Sequence, residues 1–167
     1  LALPAFSKAE DDRLPAVSWP VVVGPVDLIL FEGWCVGLPA QSASALRQPI
    51  NALEASEDAD GRWRRWVNEQ LATRYADWFA PIDALLFLQV PDFDCVRRWR
   101  GRQELDTAQR AGGSGAGLQS GEQLDRFIQH YQRLTAHALA VLPARAEVLL
   151  RLGEDHRVME MCIRELR

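Results

Sequence analysis

The stretch VDLILFEGWCVG, residues 26–37, decides the fold class that we predict for this chain. Four apolar residues in succession, Leu28 to Phe31, lead to the carboxylate of Glu32, and Gly33 follows. A short continuous apolar run is typical of a strand buried on both faces, as in parallel sheets. An acid at the carboxyl end of such a strand lies where open α/β sheets bind ligands. A core strand that happens to end at an acid fits the pattern equally well.

The composition places the chain among ordinary globular proteins and excludes some functions. Its 167 residues suit one domain, so we expect a single α/β domain over residues 1–167. The net charge of -4 argues against a general nucleic-acid binder, but it leaves room for a locally basic site for an anionic small molecule. No apolar run approaches the roughly 18 residues of a membrane span, and we see no signal peptide.

The three cysteines, Cys35, Cys95 and Cys162, are widely spaced and form neither a metal-binding pattern nor an even-numbered disulfide framework. They are typical of reduced thiols, so we expect a cytoplasmic protein in which Cys35 and Cys95 are buried.

Apolar periodicity and punctuation by Pro and Gly predict an alternation of strands and helices along the chain. The predicted strands are 26–31, 83–90 and 146–152, with a short strand at 156–159; the predicted helices are 62–79, 93–110 and 120 to about 142. Residues 1–25 are rich in Pro and cannot form a central strand, and residues 38–61 are expected to be irregular. This order predicts a mostly parallel sheet flanked by helices.

An arginine cluster on the second predicted helix is the next candidate for chemistry. Arg97, Arg98, Arg100 and Arg102 precede a Gly-rich loop at 112–117. Arginine binds phosphate oxygens through paired hydrogen bonds, so a helix of this kind beside a flexible loop predicts a lid over residues 97–119. A solvated helix face, on which the arginines pair with Glu104 or Asp106, is an equal alternative.

A third group is Asp11, Asp12 and Arg13. Paired acids beside a base could bind a polyol or remove a proton from a hydroxyl group. An ordinary salt link in a loop is the more common explanation of such a triplet. The three histidines have no metal-ligand spacing, and no GxxxxGK[ST] phosphate loop occurs in these residues.

Four segments, in the same order along the chain, resemble the plant and bacterial type of D-glycerate 3-kinase. That family belongs to the P-loop kinases related to uridine kinase and phosphoribulokinase. The segments are GPVDLILFEGWCVG (24–37), PINALEASEDADGRWRRWVNEQL (49–71), VPDFDCVRRWRGRQE (90–104) and FIQHYQRLT (127–135). The resemblance runs from about residue 3 to about residue 158. It implies a three-layer P-loop kinase-like α/β fold, of which this chain is the C-terminal part.

The resemblance also implies transfer of the γ-phosphoryl group of ATP to the 3-hydroxyl of D-glycerate, with Mg²⁺ as counter-ion. Glu32 would help to hold Mg²⁺ or its water shell, and Arg100 and Arg102 would reach the transferring phosphate from the lid. We expect the carboxylate and the guanidinium groups to meet at the same triphosphate. The residues Asp11, Asp12, Arg13 and Arg133 would be candidates for the glycerate pocket.

Two departures from the family pattern bear on activity. The lysine-bearing phosphate loop of the family lies upstream of the region matched here, so the possible partner of this chain is that N-terminal segment. Relatives usually carry Asp where this chain has Ser7, and a serine cannot act as a carboxylate base at neutral pH. The alternative to a kinase is therefore a degenerate module that binds a small acid or a protein partner without catalysis.

Overall fold

The computed structural model describes residues 1–7, 12–110 and 121–164 of the chain. The chain divides into two compact units, Leu1–Gly33 and Trp34–Arg167. Each unit is described separately below. No helix in the described part of the chain is both long enough and apolar enough to cross a membrane.

The first unit is built around a short hairpin. Strand β1 (Phe6–Ser7) pairs in antiparallel fashion with β2 (Asp12–Arg13), and Ser7 lies opposite Asp12. A single bridge from Ala2 to Val21 and a 3₁₀ turn extend this small framework. Prolines remove backbone donors, which limits the regular pairing that this segment can form, as the sequence predicts.

The strand predicted at 26–31 is wrong for the structure described here. These residues adopt no regular secondary structure, and Leu28, Ile29 and Leu30 are 75%, 77% and 87% exposed. A strand buried on both faces needs hydrogen-bonding neighbours and an apolar cover on each side. Within its own unit the segment has neither, so its apolar composition has no packing partner there.

The second unit contains five helices and three strands in its described residues. The helices are α1 (Ala52–Glu57), α2 (Arg62–Ala72), α3 (Arg74–Phe79), α4 (Phe93–Arg110) and α5 (Gly121–Val141). The strands are β3 (Leu86–Gln89), β4 (Val148–Leu152) and β5 (Val158–Ile163), and a 3₁₀ turn precedes β4.

The three strands form one mixed sheet in the order β3-β4-β5. Strand β3 is parallel to β4, and β4 is antiparallel to β5. The parallel pair is connected through α4 and α5, which is the crossover that parallel strands require. The α/β class predicted from the sequence is confirmed, and the sheet described here is mixed.

One face of the sheet packs on the core of the unit. Leu149 of β4 is 2% exposed, and Phe87 of β3 contacts the core cluster. That cluster joins α2 and α5 to the loop after Trp34 and consists of Leu38, Leu71, Leu134, Ala138 and Leu142. The apolar face predicted for the α5 segment supplies two of these five residues, Leu134 and Ala138.

The opposite face of the sheet is aliphatic and exposed. Register places Leu88 beside Leu150 and Met161, and Leu86 beside Val148 and Ile163. The edge residues of this face, Leu86, Leu88, Met161 and Ile163, are each more than half exposed. The apolar run LLFLQV at 85–90 is typical of a strand buried on both faces, but β3 is covered on one face only, because helices among the described residues pack on that face alone.

Several element boundaries differ from the sequence-based prediction. The predicted helix at 62–79 is interrupted at Thr73, whose ψ of -94° breaks it into α2 and α3. The tail forms a six-residue strand, β5, which is longer than the short strand predicted at 156–159. Helix α1 lies in the stretch predicted to be irregular, and the side chain of its N-cap, Asn51, accepts the backbone N–H of Glu54.

Two buried ion pairs organise the segment between residues 45 and 64. Arg64 of α2 binds Asp58 at 3.0 Å, with side chains 3% and 8% exposed. Arg133 of α5 binds Glu54 of α1 at 2.6 Å and donates to the carbonyls of Ala45 and Gln48. Each guanidinium satisfies several acceptors at once, which is the condition for a buried pair to be tolerated.

The turn into α2 depends on a glycine. Gly61 has a φ of +71°, and a Cβ built there would lie 2.7–2.8 Å from the guanidinium groups of Arg64 and Arg65. We expect Gly61→Ala to lower the free energy of unfolding of the full-length protein by about 1–3 kcal/mol, measured by urea denaturation. The control is Gly121→Ala, where nothing lies within 4 Å. Equal stability of the two variants would contradict the argument.

The Arg133–Glu54 pair predicts a pH dependence of stability. Burial opposes ionisation of Glu54, but hydrogen bonds from Arg133 and from the Ile50 backbone hold the pKa of this carboxyl below its ordinary value of 4.5. A lowered folded-state pKa stabilises the protein above the unfolded value, and that contribution is lost as the pH falls through the folded pKa.

We therefore expect Arg133→Met to cost about 3–5 kcal/mol of unfolding free energy at neutral pH, because it leaves a buried carboxylate unpaired. The difference from the unmodified protein should shrink as the pH falls below 4.5, measured by urea denaturation across the pH range. Arg126→Met, which removes an exposed pair with Glu57, is the matched control and should change stability little. A pH-independent difference would show that the pair does not account for the loss.

Candidate functional site

A cavity of about 440 Å³ lies between α1, α2 and α5 in the second unit. Its walls are apolar side chains and the buried arginines with their carboxylates. The aromatic and aliphatic lining residues are Trp34, Leu53, Trp63, Val67 and Leu134, and the polar ones include Gln41, Glu57, Asn68, Gln129 and His130. The volume is sufficient for a small molecule.

The charges around this cavity are matched within the protein. Glu54 is bound by Arg133, Asp58 by Arg64, and the exposed Glu57 by Arg126. The buried Oε1 of Gln41 accepts no hydrogen bond from the described residues. The cavity is therefore suited to a neutral or weakly polar group rather than to a phosphate or a second carboxylate, for which its cations are already committed.

Helix α4 presents the arginine cluster, and its start is fixed by a cap. The Asp92 side chain accepts the backbone N–H of Cys95 at 2.7 Å, which lowers the pKa of Asp92. Cys95 is fully buried, as the sequence predicts, and this burial raises the pKa of its thiol. Cys35 is only half-buried, because it borders the core rather than lying within it.

Two of the α4 arginines are tied to carboxylates of other elements. Two nitrogens of Arg97, Nε and Nη2, donate to the two carboxylate oxygens of Asp125 on α5. Arg98 binds Glu154, in the turn between β4 and β5, at 3.2 Å. The indole of Trp99 donates to the Glu154 carbonyl. These contacts hold α4 in place by tying it to α5 and to the turn between β4 and β5.

Arg100 and Arg102 differ in their surroundings. The guanidinium of Arg100 lies 5.4 Å from the centre of the Phe127 ring and donates to Gln103 Oε1 at 2.7 Å. The side chain of Arg102 is exposed on the same helix, two residues further on. The structure thus brings both predicted arginines to α4.

A row of aromatic side chains continues from Phe127 along α5. Tyr131 lies 5.0 Å from Phe127 between ring centres, and Trp34 lies 4.8 Å from Tyr131. The indole N–H of Trp34 donates to Thr135 Oγ1 at 3.0 Å. Phe127, Tyr131 and Thr135 are separated by four residues each, so helical geometry places them along one face.

This aromatic row was missed as a functional feature. In the sequence, the positions of Phe127 and Tyr131 indicate only the apolar face of a helix. The i, i+4 spacing was a visible signal, but nothing in the sequence could show that Trp34 and Arg100 contact opposite ends of the row.

The other predicted site residues lie elsewhere. Glu32 is exposed in the irregular part of the first unit, and Asp12 and Arg13 form β2, with the Arg13 backbone N–H bound by Asp12 at 2.6 Å. Asp11 and the Gly-rich part of the predicted lid, residues 112–117, lie outside the described residues. Arg133 is buried and bound to Glu54 and two carbonyls, so its guanidinium already has partners. These roles stay predictions.

No cluster of three or more potential metal ligands occurs among the His, Cys, Asp and Glu residues that the structure describes. A site built on a single carboxylate would not form such a cluster, because Mg²⁺ in kinases is commonly held by one or two carboxylates together with substrate phosphates.

Comparison of sequences identifies two related kinases, although no model of a known protein family matches the chain. The chain is 31% identical over 135 residues to the chloroplastic D-glycerate 3-kinase of Arabidopsis thaliana, covering 78% of this chain and 26% of that protein. It is 32% identical over 110 residues to the kinase mug58 of Schizosaccharomyces pombe, covering 62% of this chain and 35% of that protein. The chain therefore spans about a quarter to a third of the length of these relatives.

Comparison with solved structures finds proteins of the same fold. A D-glycerate 3-kinase from Cryptococcus neoformans matches with a TM-score of 0.70 at 21% identity, covering 98% of this chain and 60% of that chain. The YGR205w protein matches with a TM-score of 0.66 at 22% identity, covering 97% and 57%. The predicted resemblance is confirmed: the chain is a homologue of D-glycerate 3-kinase and has the α/β fold of these kinases.

Proposed function

We propose that this protein is a small-molecule kinase that transfers the γ-phosphoryl group of ATP to D-glycerate, giving 3-phosphoglycerate. The observation that carries the proposal is the 31% identity to a D-glycerate 3-kinase over 78% of the chain. Because the chain spans only part of its relatives, the proposal concerns the full-length protein, in which the phosphate loop of the family would complete the site.

The residues of this chain are chemically suited to ATP and Mg²⁺. The exposed carboxylate of Glu32 is a hard oxygen donor of the kind that Mg²⁺ takes, directly or through water. When bound, the nucleotide with its metal ion supplies the phosphoryl group and neutralises its charge. Glu32 would hold and orient that ion through its one carboxylate.

Arg100 and Arg102 are the cations that we assign to the transferring phosphate. A guanidinium in a site from which water is excluded stabilises the charge that develops on phosphate oxygens, and it retains its own charge at every physiological pH. The anchoring of α4 through Arg97 and Arg98 would limit the reorganisation needed to bring these two side chains to the substrate.

We assign Asp12 and Arg13, with Asp11, to the glycerate side of the reaction. Asp12 lies directly across the hairpin from Ser7, the position at which the resemblance leads us to expect an acid. Side chains opposite each other on an antiparallel pair point to the same face. The hairpin therefore presents a carboxylate next to residue 7, where it could accept the proton of the substrate hydroxyl. Arg13 would pair with the glycerate carboxylate.

The contacts of Arg133 favour a different contribution. Its hydrogen bonds to Glu54, Ala45 and Gln48 hold the wall of the cavity in place. Its influence on a substrate would then be exerted through the position of α1 rather than through a direct bond to an anion.

A second candidate function is binding of a partner without turnover. The exposed aliphatic sheet face at Leu86, Leu88, Met161 and Ile163 favours it, because contiguous apolar patches mark surfaces that are covered by other protein. Serine in place of an acid at residue 7 points in the same direction. The predicted cytoplasmic location remains a prediction, and the Arabidopsis relative is named as chloroplastic.

We expect Glu32→Gln in the full-length protein to lower the turnover number for D-glycerate about 100-fold, because the amide keeps the shape but removes the charge that holds the metal ion. The measurement is ATP consumption coupled to ADP formation, with D-glycerate and Mg²⁺ present. Asp27→Asn is the matched control, since this carboxylate is exposed in the same segment and precedes the apolar run.

Equal turnover in the Glu32→Gln variant and the unmodified protein would remove Glu32 from the mechanism. Turnover absent from the unmodified protein, together with stable capture of another protein, would favour the non-catalytic function instead.

A further inference from the structure

Strand β5 forms one edge of the sheet, and its outer side pairs with no strand in the part of the chain that the structure describes. Its six residues include neither lysine nor proline, with which proteins commonly block an open edge. The one irregularity of its pairing with β4 lies at the start of β5, opposite Leu152, and the pairing is regular from Glu160 onward. Met161 and Ile163 are 61% and 68% exposed. This edge is therefore suited to pairing with a further strand.

The hydrogen bonds of β4 determine which backbone groups of β5 face outward. Arg164 donates its backbone N–H to the Glu147 carbonyl at 2.8 Å, whereas Val148 donates its own to the Leu85 carbonyl on the β3 side at 3.1 Å. Hydrogen-bonded and non-hydrogen-bonded pairs alternate along an antiparallel ladder. Residues 160, 162 and 164 therefore direct their backbone groups towards β4. Residues 161 and 163 direct theirs towards the open edge.

The outward groups are complementary to those of a second copy of the chain turned about a twofold axis. When Met161 of one copy lies opposite Ile163 of the other, each such pair exchanges both of its N–H···O=C hydrogen bonds. The axis then passes between Cys162 and its counterpart in the second copy, which form a non-hydrogen-bonded pair. One surface patch is used twice, as in the isologous contacts of most homodimers.

The same register sets opposite charges against each other. Glu160 would lie opposite Arg164 of the second copy, and the symmetry repeats this pair. The Arg164 guanidinium donates to the carbonyls of Pro143 and Ala146, and no carboxylate among the described residues neutralises it. Glu160 is bound by Arg151 on the β4 side, so the second cation would approach it from the open side. Opposite charges on facing strands stabilise the pairing, whereas a register with Glu160 opposite itself would be destabilised.

The aliphatic face of the sheet is continued by the same arrangement. Met161 and Ile163 lie on that face beside Leu150 and Val148. Residues directly opposite each other share a face, so Met161 of one copy would contact Ile163 of the other. Exposed apolar side chains would then be partly buried at the contact, which favours association.

We propose that the protein forms a homodimer in which two β5 strands pair in antiparallel fashion about a twofold axis at Cys162. The two sheets become one continuous sheet, and the contact closes on itself, so that assembly stops at the dimer. The proposal is independent of the proposed catalytic function, because no residue assigned to the substrates takes part in the contact.

The first test measures the mass of the full-length protein by sedimentation velocity over a range of concentrations. We expect a monomer–dimer equilibrium with a Kd of about 1–100 µM, because a contact through one strand lies at the low end of interface sizes. Met161→Pro should raise this Kd at least about tenfold, because proline removes the N–H that would donate across the axis.

The matched control is Met161→Leu, which keeps the N–H and should dimerise like the unmodified protein. The N–H of Met161 is directed away from β4, so Met161→Pro should leave the ladder between β4 and β5 intact. An unchanged circular dichroism spectrum would show that the variant is folded.

The second test examines the register in the unmodified protein and needs no variant that could misfold. Residues of a non-hydrogen-bonded antiparallel pair have Cα atoms about 4.5 Å apart, which is within the range of a disulfide. Diamide, an oxidant that takes up the electrons and protons of two thiols, should therefore yield a covalent dimer. Cys162→Ser should abolish this product, and Cys35→Ser should leave it unchanged.

Three results would overturn the proposal. The first is a monomer at every concentration up to about 1 mM, which includes the case in which another part of the full-length chain covers the edge of β5. The second is a dimer that is as stable in Met161→Pro as in Met161→Leu, because it must form through another surface. The third is a dimer that diamide does not cross-link through Cys162, because its strands are not paired about that residue.

Discussion

The second unit depends most on the hydrogen bonds and the ion pair that the guanidinium of Arg133 makes. One side chain at the middle of α5 binds the Glu54 carboxylate of α1 and the carbonyl oxygens of Ala45 and Gln48. The two carbonyl groups belong to a segment with little regular structure, which could not order itself through backbone hydrogen bonds alone. Because the pair is buried, removing either partner leaves a charge or several carbonyls without compensation.

Helix α5 carries a second set of contacts on a neighbouring face. Arg126, Gln129 and Arg133, spaced by three and four residues, all contact α1 or its surroundings. Phe127, Tyr131 and Thr135, spaced by four, hold Arg100 at one end and Trp34 at the other. Since α5 is 21 residues long and presents a third, apolar face to the sheet, three regions of the unit are positioned by one rigid element.

The sequence predicted the elements that local pattern controls and failed where a partner decides. The start of α4 and the end of α5 agree closely with the prediction, because Asp92 caps the one helix and Pro143 follows the other. The apolar run at 28–31 has the composition of a strand, but a strand forms only beside another, and neither described strand of its own unit pairs with it. Helix α1 was missed because six residues give too short a period to detect, although Asn51 and Glu54 have the spacing of a capping pair.

The candidate site shows the same division between residue type and placement. Arginines at 97, 98, 100 and 102 were recognisable as a cluster, yet their sequence spacing does not separate those that bind Asp125 and Glu154 from the one that lies on Phe127. That separation depends on residues 25 or more positions away along the chain. On one helix, ion pairs to other elements fix the backbone, and the contact of Arg100 with the face of Phe127 limits the positions of one side chain. The arginines of one sequence cluster therefore have different surroundings in the fold, and two of them, Arg97 and Arg98, tie α4 to α5 and to the turn between β4 and β5.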